Sequence, residues 1–388
     1  MSGYKALLKR EIRYLRYDRT SRLLQVWLPL AAMLFFVVLF GDGVIRSISV
    51  AVIDEDHTDL SRAFEQELDF SKRLQIEADY TTFVAAERGI REGRISAVIV
   101  IPDQFAAHLI QGRRATIFTA ISGTNLSTEG QVSAVVEEAA DAFTSKWQLQ
   151  RFEENGIQPP ATQPTLCPIC IRSHTLFNPS LNYGTYLAPV FLPMMLIILT
   201  SMATIYAVGR ELKYGTSDEW LAGADCRLSK ALICKMAPII VSGMVMVILM
   251  IILWHYIMAI PIHGSLFWLL CSSWLLLAAY QSIGVMLVAI TGNMRLALSL
   301  GGGYAVLAFT FSGMTFPAIA MWQPFRVLSN LFPFTHYMEI VVDQLLRGAP
   351  VRYSFSATCS LLSFVLLPWV TIPRLKSILT DPKYRGRL

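Results

Sequence analysis

The chain has 388 residues, of which 54% are hydrophobic and only 16% are charged, and its mean hydropathy is +0.48. This composition argues against a soluble globular protein. The formal net charge of +5 gives no reason to expect a nucleic-acid partner, because the basic residues are placed where they would set membrane topology.

Six apolar runs contain no Asp, Glu, Lys or Arg, and each is long enough, or nearly so, to cross a bilayer as a helix. A charge at the centre of a bilayer costs about 2.5–3.5 kcal/mol on insertion scales, so charge-free runs of this length indicate membrane spans. The sequence predicts an α-helical integral membrane protein with six transmembrane helices. The runs lie near 23–41, 183–208, 236–258, 265–291, 296–317 and 354–372.

Lys and Arg dominate residues 1–22, before the first run, and residues 374–388, after the last run. By the positive-inside rule both termini are predicted to be cytoplasmic, which an even number of spans requires. Residues 1–22 also carry apolar residues at helical spacing, which fits an interfacial helix lying along the membrane as well as a simple basic anchor. The apolar run 23–41 is too long for a cleavable signal, so it is predicted to be transmembrane helix 1.

The polar block 42–182 reads as an extracytoplasmic α/β domain and linker, inserted between helices 1 and 2. Short β-rich runs alternate with helical patterns, which predicts a small, partly parallel sheet. Thr58 or Asp59 is expected to cap the first helix of the domain, and a long helix is expected from Asn125 to about Glu154. The strands are predicted at Ser47–Ile53, Leu74–Ala78, Ile95–Ile101 and Ala115–Ile121.

Cys167 and Cys170 form a C-x-x-C pair in the predicted outer block. Outside the cytoplasm such a pair can form a local disulfide, stay as two unused thiols, or bind a metal. The nearby His174 is too little for a zinc site, which needs four ligands.

The chain carries no motif for ATP hydrolysis or other catalysis. The dipeptide Gly-Lys is absent, so there is no P-loop, and neither G-x-S-x-G nor H-E-x-x-H occurs. We therefore expect a protein that is not an enzyme and binds no cofactor directly. ATP and Mg²⁺ would be used through a partner subunit.

The segment 209–221, after the second run, predicts a short cytoplasmic helix. Thr216 and Glu219 have capping-box spacing, so the helix should begin at Ser217, and Gly223 should end it. Trp220 would then be exposed, either on the lipid headgroups or as an anchor for a partner's groove.

This segment resembles the docking segment of the permease subunits of ABC-2-type (type V) exporters, in which E-[RK]-x-x-G-T-x-E-x-L follows the second span. Asp218 stands where the family has Glu, and Leu221-Ala222-Gly223-Ala224 departs from the usual Leu-x-x-[ST]-Pro ending. The resemblance implies a docking helix at 216–222 for the ATP-binding subunit. The docking residues it implies are Arg210, Glu211, Lys213, Gly215, Thr216, Asp218, Glu219, Trp220 and Leu221.

The resemblance covers nearly the whole chain. Within the family, the chain is most similar to the drug-exporter-like branch. Residues 52–56 and 97–105 look like its extracytoplasmic domain, as does Phe177-Asn178-Pro179 before the second span. The loop 318–353 resembles the family's outer re-entrant hairpin within the five-helix region 183–388. Its amphipathic stretch, with prolines that break it, fits either an outer gate or an interfacial cover. The gate residues would be Pro317, Pro324, Asn330, Pro333, His336, Glu339 and Asp343.

The function that the resemblance implies is that of an exporter permease in a bacterial inner membrane, driven by a separate ATP-binding subunit. Family members pair two permease chains, and the outer domain of this branch can meet a periplasmic membrane-fusion adaptor. Because the spans carry no charge, the expected substrate is apolar or amphiphilic. The alternatives are a membrane sensor that uses its outer domain, and an ABC-powered transmitter of signal or force.

Overall fold

The computed structural model describes residues 2–40, 48–71, 73–122, 126–154 and 182–384. The chain divides into two compact units, one formed by Met1–Gly41 with Gly184–Leu388 and the other by Asp42–Tyr183. The first is helical, and the second contains a small sheet.

The helical unit begins with the amphipathic helix α1, Ser2–Tyr17, and the short α2, Arg19–Arg22. A π-helical turn, Leu23–Trp27, joins α2 to the apolar helix α3, Leu28–Phe40. These last three segments form one continuous helix that is long and apolar enough to cross a membrane.

The second unit contains four strands and four helices. In chain order these are β1 Ile48–Asp54, α4 Asp59–Phe70, β2 Leu74–Ile76, α5 Phe83–Arg91, β3 Ala97–Ile101, α6 Phe105–Ile110, β4 Phe118–Ile121 and α7 Leu126–Glu154. The strands of the described residues form one sheet in the order β2-β1-β3-β4. β1 pairs in parallel with β2 and with β3, whereas β3 and β4 are antiparallel, so the sheet is partly parallel, as predicted.

Apolar layers cover both faces of this sheet. Helices α4 and α7 share one buried cluster with Val50 and Ile99, while α5 packs on the other face with Ala51 and Val98. All five residues of β3 are buried, which is typical of a central strand between two layers. Thr58 caps α4 as predicted, because its side chain accepts a hydrogen bond from the Ser61 amide.

The rest of the helical unit follows residue 182 and contains most of its apolar helices. Its elements are α8 Tyr183–Lys213, α9 Ser217–Ala222, α10 Leu228–Ile252 with a π-helical turn Leu253–Ile257, α11 Leu266–Thr291, α12 Met294–Thr310, a 3-10 turn Ala318–Ala320, α13 Gln323–Ser329, α14 Pro333–Val341 with a π-helical turn Val342–Arg347, α15 Phe355–Leu366, α16 Pro368–Thr380 and a 3-10 turn Pro382–Tyr384.

Five helical segments of the described chain are long and apolar enough to span a membrane. The fifth predicted span, near 296–317, is not confirmed, because α12 has only 17 residues and ends at Thr310. The chain then turns through Gly313, whose φ of +82° lies in the left-handed region that stops a regular helix. The spanning segments are Arg19–Phe40, Tyr183–Lys213, Leu228–Ile257, Leu266–Thr291 and Phe355–Thr380.

Helix α11 is the centre of the helical unit, since it packs against α10, α12, α14, α15 and α16. Most of its side chains are buried, including Tyr280 and Gln281. The apolar core on one side of this unit contains Trp254 and Tyr337, and a second core contains Trp220, Leu212 and Leu375. The second core lies where α1, α8, α9 and α10 come together, and it holds the candidate site.

Candidate functional site

The short helix α9 joins the ends of the two long helices α8 and α10. It begins at Ser217 and ends before Gly223, as the sequence predicts. The chain leaves α8 through Gly215, whose φ of +68° favours glycine, and reverses direction there. The predicted capping box is wrong, because the Thr216 side chain accepts no hydrogen bond from the first turn of α9.

The Thr216 hydroxyl instead donates to the Glu211 carboxylate at the end of α8. The next residue has the same partner, since the Ser217 hydroxyl donates to the Glu211 backbone oxygen over 3.1 Å. The start of α9 is therefore held by the last turn of α8 and not by a local cap.

Trp220 is fully buried, which contradicts its predicted exposure. The indole packs in the apolar core with Leu7 and Leu228, and the Lys235 ammonium lies 4.6 Å from its ring centroid. The error has a physical cause: a six-residue helix must bury one face to be stable, and Trp220 and Leu221 are its apolar residues.

Lys235 is the centre of a buried charge cluster that the sequence reasoning missed. Its ammonium lies 2.7 Å from Glu211 Oε1 and 3.0 Å from Glu11 Oε1, and none of the three side chains is more than 5% exposed. Three separate helices, α1, α8 and α10, thus meet through one ammonium and two carboxylates.

Two arginines complete the charge cluster, which we define as Arg10, Glu11, Arg210, Glu211 and Lys235. Arg10 donates to Glu211 Oε2 over 3.0 Å, and Arg210 Nη2 lies 3.8 Å from Glu11 Oε2. The Arg210 guanidinium also stacks 3.6 Å from the centroid of the Tyr14 ring. Every carboxylate in the cluster has a cation on more than one side.

Disruption of the charge cluster would cost a large amount of folding free energy. Burial alone would lower the pKa of Arg10, but the charge and hydrogen bond of Glu211 raise it above its ordinary value. Buried charges are tolerated only when they are paired and hydrogen-bonded. The cluster therefore fixes α1 and the end of α8 against α10. It contacts α9 through Glu211, which binds Ser217, and through Lys235, which lies against Trp220.

The exposed face of α9 is polar. Asp218, Glu219 and Ala222 are exposed, as is Tyr214 in the turn before the helix. Lys213 is partly exposed, whereas Leu221 is buried with Trp220. If α9 contacts a partner, the contact is made by acidic side chains and Tyr214.

A signal for the charge cluster was present in the sequence. Lys235 directly precedes the apolar run 236–258, and Glu11 is one of only two acidic residues in the basic segment 1–22. An ionisable residue at the end of an apolar helix needs a partner, which makes it a candidate site residue. Its partners could not be identified, because Glu11 lies 224 residues away along the chain.

The prolines predicted for the outer gate lie at the beginnings of helical segments and not around one site. Pro317 precedes the 3-10 turn Ala318–Ala320, and Pro324 and Pro333 lie in the first turns of α13 and α14. Proline lacks the N–H that a first turn leaves unused, so it starts these helices without cost.

The structure brings three of the predicted gate residues together. Asn330, His336 and Glu339 line an open cavity of about 410 Å³, whose opposite wall is α15. Asp343 lies one turn beyond Glu339 and accepts hydrogen bonds from Ser354 and Arg347. The α15 residues that line the cavity are Ser356, Ala357, Ser360, Ser363 and Phe364.

Cys167 and Cys170 lie outside the described residues, and so does Phe177-Asn178-Pro179. Within the described ranges there is no group of three or more His, Cys, Asp or Glu residues arranged to hold a metal ion. The docking and gating roles of the residues above stay predictions.

Comparison with known proteins extends over nearly the whole chain. Residues 19–372 match the family model described as ABC-2 family transporter protein. A probable multidrug ABC transporter permease, YbhS of Escherichia coli K12, is 24% identical over 95% of this chain and 96% of its own length. The inner membrane transport permease YhhJ of the same strain is 23% identical over 79% of each chain.

The predicted resemblance is thus confirmed over most of the chain, both by the family match and by the relatives. The apolar helices of the structure agree with a multi-pass inner-membrane protein. Nothing in these relatives indicates a catalytic subunit, because both are named as permeases. The chain belongs to the ABC-2 transporter family and is a transport permease that works with a separate ATP-binding subunit.

Proposed function

We propose that this permease exports an apolar or amphiphilic substrate from the cytoplasm or the inner leaflet, with ATP hydrolysed by the partner subunit. The proposal is supported by the absence of acidic and basic residues from the six apolar runs and by the multidrug description of YbhS. ATP and Mg²⁺ would be bound by the partner, and this chain would supply the path through the membrane.

The observation that carries the proposal is the attachment of α9 to the charge cluster. α9 exposes acidic side chains on one face and buries Trp220 against Lys235 on the other. A displacement of α9 would act directly on Glu211 at the end of α8 and on Lys235 in α10. We infer that the partner ATPase docks on α9 and moves these helices with it.

ATP binding can drive this movement only if the partner binds the two arrangements of the helices with different free energy. The buried charge cluster makes α1, α8, α9 and α10 move together, because separating its members would leave a charge unpaired. We propose that two permease chains form the complete path and that both termini are cytoplasmic. The unit Asp42–Tyr183 would then be extracytoplasmic and could contact a membrane-fusion adaptor.

The test is ATP-driven transport by the permease and its ATP-binding subunit, purified together and reconstituted in proteoliposomes. We expect ATP-dependent uptake of an amphiphilic dye into inside-out vesicles. The double variant Asp218→Lys/Glu219→Lys reverses the charge of the α9 face and should abolish both copurification and uptake. Reversal of two exposed carboxylates in the other unit, Asp69→Lys/Asp79→Lys, is the matched control.

The alternatives give different results in the same assay. A sensor would copurify with no ATPase. A transmitter of signal or force would copurify with one and stimulate it, but would move no dye. Uptake that survives the α9 charge reversal would overturn the docking assignment.

A further inference from the structure

The cavity between α14 and α15 is lined by polar and charged side chains to which the transport proposal gives no role. It is lined by Asn330, His336 and Glu339 on one side, and its volume of about 410 Å³ lies within the usual range for small-molecule sites. The opposite wall presents a stripe of hydroxyl groups, because Ser356, Ser360 and Ser363 follow helical spacing on α15.

The side chains of this cavity use their hydrogen-bond donors on backbone carbonyl groups. The Ser363 hydroxyl donates to the Ser360 oxygen over 2.6 Å, and the Ser360 hydroxyl donates to the Ser356 oxygen over 3.2 Å. The Asn330 amide nitrogen donates to the Arg326 oxygen over 3.4 Å. Each of these side chains therefore has an oxygen lone pair left for a ligand.

His336 follows the same rule. Its Nε2 lies 3.2 Å from the Asn330 backbone oxygen, and a carbonyl oxygen can only accept, so Nε2 carries the hydrogen. When the imidazole is neutral, its other ring nitrogen, Nδ1, is an acceptor. Within the described lining, the donors that remain are the Ser356 hydroxyl and the second amide hydrogen of Asn330.

Glu339 gives the cavity its negative charge. Its carboxylate is exposed at the cavity surface and, among the described residues, receives no hydrogen bond and forms no salt bridge. Asp343 is a like charge near it, and Arg347 is occupied by its salt bridge to Asp343. Glu339 therefore lies beside a cavity wall that offers mainly hydrogen-bond acceptors. A ligand group that is both cationic and a hydrogen-bond donor would satisfy the carboxylate and these acceptors together.

Phe364 supplies the remaining element of such a site. Its ring closes the same wall and lies 6.2 Å from the His336 ring, centroid to centroid. Aromatic faces attract cations within about 6 Å, and they also pack against alkyl groups. An anion would meet a carboxylate and few donors here, so the lining selects against it.

We propose that this cavity binds the ammonium group of an amphiphilic cation, with Glu339 as its counter-ion and the α15 hydroxyl groups as acceptors of its N–H hydrogens. This inference rests on the proposed function and makes it more specific. It names the substrate class as organic cations that carry N–H groups. The same chemistry fits a free amphiphile and the headgroup of phosphatidylethanolamine, so the experiment must separate these two sources.

The experiment measures binding to the full-length permease in phosphatidylcholine nanodiscs by isothermal titration calorimetry. The probes are dodecylammonium, dodecyltrimethylammonium and dodecanoate, which share one chain and differ in headgroup. We expect dodecylammonium to bind about tenfold more tightly than the quaternary amine, which has no N–H to donate, and dodecanoate to bind weakest. Equal binding of the three probes would overturn the proposal, and this comparison needs no variant.

Two variants then locate the site. Glu339→Gln should weaken dodecylammonium binding about tenfold and remove the preference over dodecanoate. Asp59→Asn removes the same charge from a fully exposed position on α4 and should leave the affinity unchanged. Unchanged affinity in Glu339→Gln would overturn the assignment of the counter-ion.

Nanodiscs that contain phosphatidylethanolamine identify the source of the cation. If this lipid lowers the apparent affinity for dodecylammonium, the headgroup occupies the site, and if it does not, the ligand is a free cation. Both results support an ammonium site. The binding measurement needs neither ATP nor the partner subunit, so the two proposals can fail separately. Ligand binding without ATP-driven transport would overturn the proposed function alone. Transport without headgroup selectivity in binding would overturn this inference alone.

Discussion

At the scale of the residue, the two charged regions of the helical unit differ in how their charges are balanced. Glu211 is fully buried but has cations on several sides, whereas Glu339 is exposed at a cavity and has no salt-bridge partner among the described residues. Buried charges without partners are costly, so the first arrangement stabilises the fold and the second leaves a place for a ligand.

Replacing Lys235 by Met should destabilise the helical unit strongly. The substitution keeps the length of the side chain but leaves Glu11 and Glu211 without their shared ammonium, and breaking a buried pair costs about 3–5 kcal/mol. Lys230→Met is the matched control on α10, because its partner Asp225 is mostly exposed and such pairs contribute about 0–1 kcal/mol. Thermal unfolding of the purified permease measures both, and equal losses would contradict a special role for Lys235.

Glu339 should make the stability of the permease depend on pH. Partial desolvation by the surrounding cavity walls raises the pKa of this carboxyl group, and the like charge of Asp343 raises it further, whereas a positive charge on His336 would lower it. The folded chain therefore binds a proton more tightly than the unfolded chain, and stability falls as the pH rises from the ordinary carboxyl pKa to the raised one. We expect Glu339→Gln to raise the melting temperature at neutral pH and to have no such effect at low pH. A gain that is the same at both pH values would exclude this origin.

At the scale of the element, α9 shows which part of a short helix the sequence can predict. The start at Ser217 and the end before Gly223 follow from local residue types and are confirmed. The capping box and the exposure of Trp220 are wrong, because both are decided by contacts with other helices: the Thr216 hydroxyl donates to Glu211 in α8, and Lys235 in α10 lies against the indole. Local patterns carry no information about such partners.

The turn between α8 and α9 depends on Gly215. No atom lies within 4 Å of the position that a Cβ would take there, so the cost of a substitution comes from the φ of +68° alone. Gly215→Ala should destabilise the turn by about 1 kcal/mol, and Gly215→Asn should cost less, because Asn tolerates left-handed backbone. Comparing the melting temperatures of the two variants checks this. A larger loss in Gly215→Asn would point to a steric cause.

At the scale of the whole molecule, the apolar runs predicted the long helices well and the ends of the shorter ones poorly. The runs at 183–208 and 265–291 correspond to α8 and α11, since a long charge-free stretch has few other stable structures in a membrane. The run 296–317 failed because hydropathy does not register Gly313, where the backbone turns. In the candidate site, Glu211 was predicted from its motif, but Arg10, Glu11 and Lys235 were found only when the fold placed their helices together.

The orientation of the permease in the membrane is the last prediction, and it can be tested with single cysteines. Cys226 is exposed in the turn between α9 and α10, and Asp79 is exposed after β2 in the other unit. In an otherwise cysteine-free chain, we expect an impermeant maleimide to label Asp79→Cys in intact spheroplasts. Cys226 should be labelled only after permeabilisation, because the basic residues of 1–22 and 374–388 favour a cytoplasmic location for this side. Labelling of Cys226 in intact spheroplasts would invert the topology and would place α9 out of reach of any ATP-binding subunit.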